Sequence, residues 1–163
     1  MQIDASTTVA FTGHRTYDNR ANERLADAVR SLYAEGYRTF LSGMAAGFDL
    51  AAAETVIALR AELRDIRLVC VIPFAGQSER FSADTRSRYE RIIARADLSL
   101  TLAPRYTPDA YFRRNDFLTD NSSAVIAYFS GAKGGTAYTV RRALHKLSRI
   151  TNIWRNPQQD LNF

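Results

Sequence analysis

Several clusters in this chain combine residue types that can do chemistry with spacing that would bring them to a ligand. Gly13-His14-Arg15 follows a β-branched run and places an imidazole and a guanidinium directly after a glycine. Arg15 offers bidentate pairing with a phosphate, and His14 a donor to a phosphate or hydroxyl oxygen. The stretch LSGMAAGFDLAAAE (41–54) holds Gly43 and Gly47, with Met44 between them, and then Asp49. Glycines there free the backbone to turn and to approach a ligand closely. Asp49 also reads as the cap of a helix over 50–64. Glu54 falls beside Leu50, Ala58 and Ala61 on an apolar helix flank, where a carboxylate needs a backbone donor, an arginine or a ligand hydroxyl. Structural hydrogen bonding and ligand contact satisfy that need equally.

Three further stretches belong with these. IPFAGQSERF leaves an apolar run through Pro73 and Phe74 and then offers Gln77, Ser78 and Glu79, as a lid or as a simple connector. PRYTPDAYFRRND (104–116) interleaves Arg105, Arg113 and Arg114 with Tyr106, Tyr111 and Phe112. Aromatic faces can stack on bases while arginines follow phosphates; a helix with inward aromatics and solvated arginines accounts for the same pattern. SGAKGGTAYTVRRAL sets Gly134, Gly135 and Thr136 at a helix start, which makes an anion site from free N–H groups, the positive helix end and a hydroxyl. Lys133 precedes the glycines, so the Gly-Lys-Ser/Thr ending of a P-loop is missing, and no strand-end Gly-x-Gly-x-x-Gly occurs.

The elements that must position these clusters alternate. Strands are expected over 7–13, 38–43, 67–74, 98–102 and 123–129, with a last edge strand over 149–154. Helices are expected over 20–35, 49–64, 84–96, 109–120 and 136–147. Leu25, Ala28, Val29, Leu32 and Tyr33 share one face of the first helix, Tyr89, Ile92, Ile93 and Ala96 one face of the third, and Val140, Ala143, Leu144 and Leu147 one face of the last. Residues 155–163 read as irregular. Repeated βα units with short connections imply an α/β fold: one Rossmann-like domain over 1–163, its mostly parallel sheet covered by helices on both faces. Ligands of such sheets bind outside the carboxyl ends of the strands, where strand order reverses. The clusters above all follow strands.

Composition sets the outer bounds. The chain has 163 residues, 46% hydrophobic and 24% charged, which suits one well-buried domain rather than a disordered segment. No window reaches the roughly 18 apolar residues of a membrane span, and the start lacks a basic-then-apolar leader; a cytoplasmic protein without membrane association is the expectation. Cys70 is the single cysteine, inside the apolar run LVCVIPF, and reads as a buried small hydrophobe. With two histidines and one cysteine no zinc site is expected, and no other metal or cofactor. The net charge of +5 suits anionic partners.

VAFTGHR, LSGMAAGFDLAAAE, VIPFAGQ, the Arg114-Asn115 step and GAKGGTAYTVRRAL, in this order, resemble the YpsA-like branch of the SLOG superfamily over roughly residues 7–150. That superfamily gathers Rossmann-like domains similar to the lonely-guy phosphoribohydrolases and the DNA-processing protein DprA. The resemblance implies a nucleotide or nucleotide-derived small molecule, ADP-ribose-like or a nucleoside monophosphate, that is bound or sensed. It carries binding roles onto Gly13, His14, Arg15, Gly43, Gly47, Asp49, Glu54, Arg114, Asn115, Gly134, Gly135 and Thr136; Met44, Pro73 and Phe74 complete the candidate contacts. The alternative is an N-glycosidic hydrolase with Glu54 as acid/base residue. Lonely-guy enzymes carry a catalytic Glu in PGGxGTxxE, and here that position is Thr139, which cannot serve as the carboxylate. Single-stranded nucleic acid ranks third, through the DprA-like stretch 113–142. Self-association as a homodimer is expected by the same resemblance.

Overall fold

The computed structural model describes residues 1–146 and 149–155. Strands β1 (Thr8–Gly13), β2 (Thr39–Ser42), β3 (Arg67–Ile72), β4 (Leu98–Thr101), β5 (Ala124–Tyr128) and β6 (Arg149–Asn152) alternate with helices α1 (Asn22–Ala34), α2 (Phe48–Leu59), α3 (Ala83–Arg95), α4 (Ala110–Asp120) and α5 (Gly135–Lys146). The strands form one sheet in the order β4-β3-β2-β1-β5-β6, every neighbouring pair parallel. This is the Rossmann-like α/β arrangement that the alternating pattern called for.

Successive strand residues point to opposite faces, and the two faces collect different helices. Val9, Phe11, Phe40, Leu68, Cys70 and Ile126 join Leu25 and Val29 of α1, Leu50 and Val56 of α2, and Tyr89 and Ile92 of α3. Ala10, Leu41, Val69, Val71, Val125 and Ala127 join Leu118 of α4 and Val140 and Ala143 of α5. Three helices therefore cover one face and two the other. Because β1, β2, β3 and β5 are covered on both sides, they are buried along nearly their whole length, their few polar residues, such as Thr8, Thr39 and Ser42, included. Helix α2 is buried along most of its length, and its alanines let it sit close to the sheet between α1 and α3.

Two sequence expectations fail locally. Helix α2 ends at Leu59 rather than near 64. Arg60, Glu62, Arg64 and Asp65 supply no apolar face to continue it, and Asp65 turns the chain with φ +67°. Leu144 is 66% exposed; α5 buries Ala137, Val140 and Ala143, and Leu144 lies one step around the helix from that stripe. Leu147 lies outside the described residues, as does the tail from 156.

The topology dictates where a ligand fits. From β1 the chain steps outward through β2, β3 and β4, then returns to place β5 on the other flank of β1. Gly13 at the end of β1 is level with Tyr128 at the end of β5. Connections leaving these two strands run to opposite sides of the sheet, and the crevice between them is the switch point of the fold.

Candidate functional site

A cavity of about 310 Å³ opens at that switch point. Thr12, Gly13, His14 and Arg15 from the end of β1 form one wall, Lys133 to Thr136 the opposite one, and Ala45, Asp49, Arg114 and Asn115 the floor. Four segments that are distant in sequence converge here because each follows, or packs under, the carboxyl edge of the sheet.

The 43–49 loop is shaped by its own hydrogen bonds. Ser42 Oγ donates to the Asp49 carbonyl (2.9 Å) and accepts from the Met44 N–H (3.2 Å), while Asp49 Oδ2 accepts from the Ala45 N–H (3.2 Å). Asp49 therefore braces the loop in front of α2 rather than capping the helix, whose N-cap is Gly47. The glycines serve the approach of one protein segment to another. A Cβ on Gly47, where φ is +88°, would sit 2.1 Å from the Arg15 carbonyl oxygen; a Cβ on Gly43 would sit 2.7 Å from Arg114 Nη1. Between the two glycines it is Met44 that turns with positive φ, at +60°, and it is fully buried.

Arg114 is the chemical centre of the cavity. It is 5% exposed. Nη1 donates to the Gly43 carbonyl and Nε to Asn115 Oδ1 (2.8 Å). Nη2 has no hydrogen-bond partner among the described residues, yet no buried side-chain nitrogen is left without a partner there, so this end of the guanidinium opens to the cavity. Gln77 Nε2 also donates to the Gly43 carbonyl (3.1 Å), and Gln77 Oε1 accepts from Tyr89 (3.1 Å), so the atom that holds Arg114 is itself held. Burial draws the guanidinium down from its ordinary value, while the Asp49 carboxylate opposes that. Asp49 is pushed up to about 6 by burial, against the pull of Arg114, the Ala45 N–H and Arg15. A carboxylate displaced that far within a cleft is a mark of functional sites.

At the opposite wall α5 begins with Gly135 and Thr136. The first bond into the helix runs from the Tyr138 N–H to the Gly134 carbonyl (3.1 Å). The N–H groups before it have no partner within the helix, and they carry its positive end. Gly134 has φ +141° with open space around it, so the loop meets the cavity with bare backbone. Arg15, Arg114 and Lys133 face one carboxylate, Asp49, which leaves the cavity net positive.

The remaining candidates divide. His14 lines the cavity, but its Nε2 accepts from the Ser130 N–H (2.9 Å), which ties the β1 and β5 loops together; burial lowers its basicity. Any donation from His14 to a ligand is left to Nδ1. Pro73 is buried just past β3 and lines no part of this cavity. Phe74 lines an adjoining lobe of about 670 Å³, which shares Arg15, Ala45 and Tyr111 with the first. Glu54 lies elsewhere. It pairs with Arg88 across the α2–α3 groove, with Arg88 Nε 3.2 Å from Glu54 Oε1. The flanking arginine was one of the partners its position demanded, and it removes Glu54 from the switch point. Thr139, at the lonely-guy glutamate position, is fully buried and donates back to the Gly135 carbonyl (3.0 Å). Burial pushes the Cys70 thiol up to about 12, as its place in a central strand suggests.

Sequence reasoning passed over the roles of Ala45, Leu118 and Gln77. The first two carry no chemical signal. Gln77 had one, a polar side chain between an apolar strand and a helix, but its partner Gly43 is 34 residues away.

Known proteins share this architecture. A UPF0398 protein of Bacillus velezensis is 31% identical over 149 residues, covering 83% of this chain and 82% of its own. A UPF0398 protein of Bacillus thuringiensis is 27% identical over 157 residues, covering 88% and 85%. Among solved structures, DNA processing protein A of Helicobacter pylori, described for its single-stranded DNA binding mode, superposes with a TM-score of 0.63 at 18% identity over 88% of this chain. The Streptococcus pneumoniae protein of the same name gives 0.62 at 17% identity over 87%. At those identities the likeness is one of fold, and the chain spans only 63% and 48% of the two. The YpsA family model, described as the YspA SLOG family, matches residues 9–154, and the chain belongs to that family.

Proposed function

We propose that this protein binds a nucleotide or nucleotide derivative, with a phosphate held in the cavity between β1 and β5. The observation that carries the reading is Arg114: a nearly buried guanidinium with one end fixed to Gly43 and Asn115 and the other open to the cavity, opposite the start of α5. A buried cation and free backbone N–H groups lining one cavity make a site for a multiply charged oxyanion. Lys133 and Arg15 add charge at the rim, and the Thr136 hydroxyl adds a neutral donor. Asp49 in its ionised form accepts from ribose hydroxyls beside the phosphate.

Hydrolysis of the N-glycosidic bond is the weaker reading. Glu54 is engaged with Arg88 in another groove, and Thr139 supplies no carboxylate. Single-stranded nucleic acid remains a second reading, favoured by exposed Tyr106 (57%) and Phe112 (51%) beside solvent-facing Arg105 and Arg113.

A thermal-shift screen with AMP, GMP, CMP, UMP, ADP-ribose and oligo-dT, followed by assay for released base or ribose phosphate, tests these together. The expected result is stabilisation by a mononucleotide or ADP-ribose, about 2.7 kcal/mol at 100 times its Kd, without turnover. Stabilisation by oligo-dT alone, with steep loss of affinity in salt, would favour the nucleic-acid reading. Released product would reinstate the hydrolase.

A further inference from the structure

The larger lobe beside the switch-point cavity has a chemistry of its own. Phe74 follows β3, Tyr106 stands in the loop between β4 and α4, and Tyr111 lies in the first turn of α4. Their ring centroids are 5.4 Å (Phe74–Tyr106), 5.8 Å (Phe74–Tyr111) and 6.3 Å (Tyr106–Tyr111) apart, the first two pairs meeting edge to face. None of the three belongs to either hydrophobic core, and all line the lobe. Aromatic rings gathered on a cavity wall outside the core present flat apolar surface that a planar ligand can cover.

Arg15 and Tyr111 stand where the two cavities join. The Arg15 guanidinium carbon is 5.1 Å from the Tyr111 ring centroid, and that of Arg114 is 5.7 Å from the same ring. A molecule with its phosphate against Arg114 and the start of α5 that extends toward the larger lobe therefore passes a cation and then meets three rings.

We propose that the Phe74–Tyr106–Tyr111 lobe is the base-binding subsite, so that the ligand spans both cavities with its sugar-phosphate link beside Arg15. This rests on the nucleotide reading above and deepens it. Stacking accepts any base through its π-face. The gain from having a base is therefore larger than the difference between bases, and a sugar phosphate without one fills only the inner cavity.

Calorimetric titration of the whole chain with ribose 5-phosphate and with AMP, GMP, CMP and UMP tests this, using the wild type, Tyr106→Ala, Tyr106→Phe and Phe74→Leu. Tyr106 is exposed, so its variants are expected to fold as the parent does. The expected result is that at least one nucleotide binds about tenfold or more tightly than ribose 5-phosphate. Tyr106→Ala should shrink that gap without changing ribose 5-phosphate affinity, and Tyr106→Phe should preserve it. Equal affinities in the wild type, or a gap untouched by both Tyr106→Ala and Phe74→Leu, would overturn the base subsite alone. Failure of all five compounds, and of ADP-ribose titrated beside them, to bind would overturn the nucleotide reading and this one with it.

Discussion

At the scale of single residues, the site depends on contacts that bridge long sequence separations. Arg114 is legible as a basic residue near a helix start, but its anchor, the Gly43 carbonyl, lies 71 residues away. No local pattern encodes that pairing, or the need for Gly43 to lack a Cβ. The same distance conceals why Asp49 has so unusual a setting: its charge is balanced by Arg114, which only folding brings near. A pH dependence follows. The folded state holds the Asp49 proton more tightly than the unfolded chain, so this group's stability is full in acid and is lost as pH rises through about 6. Relative to Asp49→Asn, the wild type should gain about 2 kcal/mol between pH 7.5 and pH 4.5, read from urea denaturation at the two pH values. Cys70 was legible from its apolar neighbours alone, and the fold gives the same answer: its thiol should resist Ellman's reagent in native buffer and react promptly in denaturant.

At the scale of elements, hydrophobic periodicity located the six strands and five α-helices of the described residues, with errors at their ends, but not the short 3-10 turns Ala5–Thr7 and Gln77–Arg80. It identified α2 but ran it five residues too far, because Ala61 and Leu63 continue the apolar spacing while the turn at Asp65 has no periodic signature. The loop before α2 was legible as special, but the packing its glycines permit was not. Its glycines admit neighbouring protein, Arg15 at Gly47 and Arg114 at Gly43. Gly47→Ala should therefore cost far more than Gly131→Ala. Both positions have positive φ, but a Cβ at Gly131 meets open space, whereas at Gly47 it collides with backbone. Urea titrations should give about 1–2 kcal/mol for Gly131→Ala and a clearly larger loss, or failure to fold, for Gly47→Ala.

At the scale of the whole molecule, the strand order decides which loops can cooperate. The segments after β1 and β5, with the loop after β2, share one crevice because β1 lies between β2 and β5. Sequence placed the candidate loops at strand ends but could not order the strands, so it could not separate Glu54 from the rest. Glu54 is reached across the α2–α3 groove, remote from that crevice. Glu54→Gln should leave nucleotide affinity within about twofold and cost at most roughly 1 kcal/mol of stability through the loss of a partly exposed ion pair. In the proposed site, Arg114 anchors a ligand phosphate at the switch point. The most direct test of that role is calorimetric titration of wild type and Arg114→Gln, in the same buffer, with whichever mononucleotide or ADP-ribose gives the largest thermal shift. Loss of a charge-assisted hydrogen bond predicts affinity at least about tenfold weaker in Arg114→Gln, with the fold retained by circular dichroism. Equal affinity in the two proteins would contradict it.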